Sequence, residues 1–93
     1  LTAGLPISQD MYYVTTMTTA TPIADVEFDL ANGLVLSLEG SQLCWYDIES
    51  YEALGNTSTG SDMEFLGLGG GTVYCVDAEW SSTTIIWFDG VSA

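Results

Sequence analysis

The sequence predicts an all-β fold: a small antiparallel β-sandwich built from two similar three-stranded meanders, with one further strand ahead of them. Three observations predict it. From residue 11 onward, apolar and polar residues alternate with period two rather than 3.6. The alternating runs are short and are separated by Gly, Asn, Ser and Asp clusters that suit tight turns. No stretch of ten or more residues carries a helical pattern.

The first element is Thr-rich and β-branched. Residues 10–19, inside a segment bounded by Pro6 and Pro22, read as one long strand centred on Met11, Tyr12, Tyr13, Val14, Thr15, Thr16 and Met17. Residues 1–22 thus form a leader strand available for exchange between subunits, and 23–93 form the β-domain. The run DVEFDL then alternates Asp25, Glu27 and Asp29 with Val26, Phe28 and Leu30, the mark of a half-buried strand. Asn32-Gly33 turns the chain, because both residues tolerate positive φ. LVLSLE follows with Leu34, Leu36 and Leu38 on one face. GS makes the next turn, and QLCWYDI is apolar on both faces.

The second half repeats this plan with DMEFLGL, a GGG turn, TVYCVDA, an EWSS turn and TTIIWFD. Two landmarks recur: D-x-E-F at 25–28 and 62–65, and tryptophan-aromatic-Asp at 45–47 and 87–89. Between the copies, YEAL suits a short edge strand or a helical turn, and the small polar residues after it suit an exposed loop. Meanders that end in tryptophan-aromatic-Asp resemble the blades of β-propellers, over residues 25–48 and 62–89 here. The resemblance implies an alternative fold of propeller-like blades completed by oligomerisation, although the G-H element of such blades is absent.

Composition bounds the function. The chain has 93 residues, 47% of them hydrophobic, which suits one globular domain. It contains 13 acidic residues and no Lys, Arg or His, for a formal net charge of -13. Each carboxylate must therefore be solvated, bonded to a neutral donor or balanced by a metal ion. Nucleic acid is excluded as a partner, because nothing can displace its counterions. Anionic lipid is excluded for the same reason, and no run is long enough for direct membrane insertion. Schiff-base chemistry, a phosphate-gripping Lys and Lys-to-Asn isopeptide links are all impossible. Nucleophilic Ser or Cys catalysis lacks a basic partner, and a paired-carboxylate glycosidase needs a cleft that a domain of this size has little room for. No enzymatic activity is expected.

Several constellations remain. GLGLGGGT lacks the G-x-G-x-x-G order of a phosphate cradle and reads as a β-turn. DVEFDL starts like a calcium loop, but Leu30 stands where such a loop needs Gly and Leu36 where it needs Glu. No cofactor is called for; calcium held loosely by Asp25, Glu27 and Asp29, shared with Asp62 and Glu64, is the one ion the pattern admits. Cys44 and Cys75 are the only cysteines. In a His-free chain a disulfide is the expected pairing, worth about 3 to 4 kcal/mol and implying an oxidising compartment. Asn56 opens the sequon NTS and is the expected glycosylation site. Trp45, Tyr46, Trp87 and Phe88 suit the core better than a sugar-stacking platform. The chain opens on Leu1 without a signal-peptide pattern, which suits a leader already removed or a start lying further upstream.

The function these readings lead to is a secreted structural subunit, glycosylated at Asn56, that self-assembles into an extracellular fibre or surface layer as a homo-oligomer or helical polymer. Strand addition by the N-terminal segment is the means. A monomeric extracellular module binding carbohydrate or calcium is the alternative.

Overall fold

The computed structural model describes residues 16–19, 21–79 and 81–89. The described residues form seven strands and no helix: β1 (Ile23–Asp29), β2 (Leu34–Glu39), β3 (Gln42–Asp47), β4 (Ala53–Ser58), β5 (Phe65–Gly69), β6 (Thr72–Ala78) and β7 (Thr83–Phe88). They make two antiparallel sheets, one in the order β1-β2-β3-β4 and one in the order β5-β6-β7. The sheets close neither a barrel nor a propeller.

Every strand pairs with its neighbour in sequence, so turn chemistry sets the register. The β1–β2 turn closes at Gly33 (φ 67°), which the chain needs in the left-handed region. Between β5 and β6, Gly70 (φ 58°) and Gly71 (φ 86°) form a two-residue hairpin with both positions at positive φ, the geometry that matches strand twist. The β3–β4 turn is built differently. Asp47 accepts the N–H groups of Glu49 and Ser50 at 2.8 and 2.9 Å, while Tyr51 takes φ 62° and donates its N–H to the Asp47 carbonyl. The Asp of the first tryptophan-aromatic-Asp motif is thus a turn cap.

The core draws side chains from both sheets. Leu34, Leu36 and Leu38 from β2 and Leu43 from β3 pack with Met63, Leu66, Val73 and Cys75, and Trp45, Ile86 and Phe88 border this cluster. Strand β2 is buried on both faces, since Val35, Ser37 and Glu39 are buried as well. Truncating a buried Leu of this row to Ala would cost about 2–5 kcal/mol.

Three expectations need correction. The run after YEAL is not a loop: β4 continues through Ser58, because pairing with β3 from Tyr46 to Gln42 holds it in the sheet. The alternation in β1 is real, but it faces the opposite way. Asp25, Glu27 and Asp29 sit across from Leu38, Leu36 and Leu34, on the core side, while Val26 and Phe28 are exposed. The strand expected over residues 10–19 is not formed in its described part, 16–19. There Thr19 Oγ1 donates to the Thr21 carbonyl, a local bond that competes with a ladder. Met11, Tyr12, Tyr13, Val14 and Thr15 lie outside the described residues.

One close approach fixes β4 on β3. A Cβ added at Gly55 would lie 2.7 Å from Cζ2 of the Trp45 indole, so the ring lies directly over that backbone. Gly55→Ala is expected to lower stability by about 1–3 kcal/mol through overpacking, read as a lower denaturant midpoint at unchanged slope; an unchanged midpoint would show that the indole moves aside freely.

Candidate functional site

The pleat and the hydrogen-bond pattern together define which faces meet. The Ile48 N–H bonds to the Gly33 carbonyl, so Val35 with Tyr46 and Ser37 with Cys44 are the hydrogen-bonded pairs of β2 and β3. The Glu79 N–H bonds to the Ser82 carbonyl, which makes Cys75 with Ile86 and Val73 with Phe88 the hydrogen-bonded pairs of β6 and β7. In a chain of L-residues, strand direction and the side to which the backbone groups point together fix where a side chain emerges. Val35 and Ser37 in the first sheet therefore correspond in position and face to Val73 and Cys75 in the second.

Val73 and Cys75 pack onto Leu34, Leu36 and Leu38, which lie on the opposite side of the first sheet from Val35 and Ser37. Side chains of these two faces thus share one buried cluster. On the outer side of the second sheet stand Tyr74, Val76, Ile85 and Trp87, the counterparts of Leu36, Leu38, Leu43 and Trp45. Trp87 is 60% exposed, Ile85 59% and Phe65, which pairs with Val76 on this side, 53%. On the far side of the first sheet, Ile23, Val26 and Phe28 are exposed along β1. Exposed apolar side chains along β1 and on the outer side of the second sheet are the site-like feature of the described residues.

Of the four aromatics expected in the core, Trp45 and Phe88 border it. Tyr46 turns to the other face, where its hydroxyl donates to Glu39 Oε2 at 2.5 Å. Trp87 points outward, because β7 is packed on one face only. The tryptophan motifs are equivalent by pairing, whereas the D-x-E-F motifs are not: Phe28 pairs with Val35, and the position matching it is Leu68, paired with Val73.

Two of the three expected metal ligands, Asp25 and Asp29, accept hydrogen bonds from neutral donors. Asp25 Oδ2 accepts the Leu66 N–H at 2.8 Å, a bond joining the two sheets, and its Oδ1 accepts the Val26 N–H. Asp29 accepts the backbone and side-chain N–H groups of Asn32 across the β1–β2 turn. Glu27 stands between them on the same face. The carboxylates that converge among the described residues are those of Glu64, Asp77 and Glu79, all within 4.8 Å of one another. Asp77 and then Glu64 push the Glu79 carboxyl above its ordinary range by charge, and Asp77 adds a side-chain hydrogen bond in the same direction. Of these three, the sequence pattern points to Glu64 alone, because the approach of Asp77 and Glu79 depends on the β6–β7 turn.

The expected Cys44–Cys75 bridge is not formed; both are buried free thiols. The pleat gives the reason: Cys44 pairs with Ser37 and leaves the first sheet on its outer side, whereas Cys75 lies in the core on the inner side. Burial, with Glu39 adding to it, pushes the Cys44 thiol up to about 11, and burial alone does the same for Cys75. Asn56 is exposed on β4, so the sequon lies on an edge strand. Among the described residues, no helix is long and apolar enough to cross a membrane.

Comparison with protein-family models, with curated proteins and with solved structures returned no match. The functional reading therefore rests on the faces and edges described above.

Two measurements check this geometry. Intact mass should be the same with and without reductant, and both thiols should resist alkylation at pH 8 until the protein is unfolded; a mass difference matching two hydrogens would restore the bridge. The two backbone donors, Ser50 and then Glu49, hold the Asp47 carboxyl below its ordinary range. Its contribution to the β3–β4 turn is therefore present above the unfolded-state value and lost as pH falls through the lower, folded one. Carbon-detected titration should give Asp47 a midpoint below that of an Asp in the denatured chain, and the difference should vanish on disrupting the turn.

Proposed function

We propose that the chain is a secreted structural subunit that self-assembles into an extracellular fibre or surface layer. In this reading the two sheets form a small sandwich, and the N-terminal segment from Met11 to Met17 adds as a strand to a neighbour. The observation that carries it is the unequal strand count: β3 of the first sheet is flanked by β4, while no strand lies beyond β7 among the described residues. A sheet edge of this kind accepts an extended segment through main-chain bonds, with pockets for alternate side chains. The Met-Tyr-Tyr-Val run has the β-propensity for such a role.

Repetition of that contact from copy to copy is head-to-tail and leaves the assembly open. The reading assigns the protein no catalysis. Its partners are further copies of itself and glycans carried on the exposed Asn56, and its place is outside the cell or at the cell surface. The net charge of -13 opposes close approach of copies, so salt or divalent cations favour assembly by screening.

Electron microscopy and light scattering across sodium chloride and calcium concentrations test this. Polymers should form at physiological ionic strength and dissolve at low ionic strength, and Val14→Pro should abolish them without lowering the melting temperature. Monomers under all conditions would overturn the reading, and a stoichiometric calcium site on a persistent monomer, found by calorimetry, would replace it with a calcium-binding module.

A further inference from the structure

The outer side of the first sheet is closed, although no strand among the described residues lies over it. We infer that residues 11–15 of the leader lie across the outer side of β2 and β3 of their own chain, as a cover centred on Ser37 and Cys44. The inference goes beyond the self-assembly reading, because it concerns what the leader does in a single copy.

Leu34, Leu36, Leu38 and Leu43 leave the first sheet on the side of the shared core. Val35, Ser37, Glu39 and Cys44 leave it on the other side, yet none of them is more than 8% exposed. One side-chain bridge accounts for part of this. Tyr46 stands in the row of Val35 and Glu39 in the row of Gln42, so the bond from the Tyr46 hydroxyl to Glu39 Oε2 passes over the row of Ser37 and Cys44 between them. The bridge is itself covered. Glu39 is buried despite its charge, and Tyr46 is half-buried. Burial comes first among the causes that raise the Tyr46 hydroxyl and the Cys44 thiol above their ordinary ranges. Beneath the bridge the Ser37 hydroxyl is fully buried and has no partner among the described residues, a state that a main-chain carbonyl laid beside it relieves.

The cover is narrow. Val26 and Phe28 on β1 and Asn56 on β4 flank the same rows, and all three are exposed. A further sheet on this side would close the margins along with the centre, whereas one extended segment closes the centre alone.

The leader starts in the right place. A Cβ added at Gly40 would lie 3.2 Å from Thr21 Cγ2, so the chain enters β1 over the β2–β3 turn, and Thr21 lines one hollow together with Glu39. Upstream of that point burial alternates: Thr19 and Met17 are half-buried, Thr18 and Thr16 exposed. Carried on with the same period, Tyr13 and Met11 turn toward the protein, and Tyr12 and Val14 turn away. The row from Glu39 to Val35 is about 13 Å long, and extended chain from residue 19 back to 11 reaches about 26 Å. Residues 90–93 instead follow Phe88, which borders the core on the opposite side of the first sheet. Charge fits as well. Residues 11–22 carry none of the 13 acids, so laying them beside the buried Glu39 adds no like charge. A leader held in this way is withheld from a neighbour's sheet edge, and strand addition requires its release.

Cys44 reports the cover, and Cys75, in the core, reports the rest of the fold. The test is site-resolved alkylation of the full chain with iodoacetamide at pH 8, in dilute solution at low ionic strength, where copies are separate. In the unaltered protein both thiols should be protected. Tyr13→Asp should raise the Cys44 rate by about tenfold or more by opening the cover, with Cys75 unchanged, and Tyr12→Asp should raise it less. Cys44 reacting freely in the unaltered chain would overturn the inference, as would equal Cys44 rates with and without Tyr13→Asp, or a larger rise in Tyr12→Asp. A joint rise at both cysteines would also overturn it, by making the segment part of the core. Val14→Pro keeps the two readings apart, since it removes a ladder donor and leaves the inward side chains in place. Polymers lost while Cys44 stays protected support both readings. A protected Cys44 in a chain that never polymerises leaves the cover standing and strand addition fallen; a freely reacting Cys44 in a chain whose polymers Val14→Pro abolishes leaves the reverse.

Discussion

A chain with 13 acidic side chains and no cationic one must satisfy its carboxylates from neutral donors, and the architecture follows from how it does so. Asp25 takes the Leu66 N–H across the sheets, Asp29 takes both donors of Asn32, and Asp47 takes Glu49 and Ser50. Glu39 takes the Tyr46 hydroxyl. In each case a backbone amide, a side-chain amide or a phenol does what Arg or Lys would do elsewhere. The acids therefore mark turns and the seam between sheets, and they draw β1 into an orientation that hydrophobicity alone would reverse.

This reversal decides what the outside of the molecule looks like. Had Val26 and Phe28 entered the core, the first sheet would have presented an acidic face to solvent and repelled its neighbours. With Asp25, Glu27 and Asp29 turned inward, the outer side of β1 is apolar and uncharged. The outer side of β5, β6 and β7 has the same character, with Trp87 exposed on its edge strand β7.

Much of the fold was legible because turns are written locally. Asn32-Gly33, Gly40-Ser41 and Gly70-Gly71 each fall between alternating runs, and each lies in a β-hairpin of the structure. The faces were not legible to the same degree. Period two says that Asp25 and Val26 point opposite ways, but which of them points inward is settled by pairing with β2 and by the Leu66 amide, which lies 41 residues away. The same limit explains Cys44 and Cys75: their even number suggested a bridge, and only the pleat reveals that a sheet stands between them. It explains Trp87 too, since a strand apolar on both faces is covered on both only when a further sheet is present. Among the candidate sites, the approach of Asp77 and Glu79 to Glu64 had no linear signature, because it is produced by a hairpin and a backbone bond from Glu64 to Val76.

The strand order has a kinetic consequence. Since all seven strands bond only to sequence neighbours, each hairpin closes a short loop and loses little chain entropy in doing so. Local pairing lets each sheet form from nearby segments, and their docking, which includes the Asp25 to Leu66 bond across 41 residues, brings together the sequence-distant groups. Until that event the leucines of β2 lie open on a nascent surface, so during biosynthesis the interval between finishing the first sheet and emergence of β5 is when this chain is most prone to stick to the wrong neighbour.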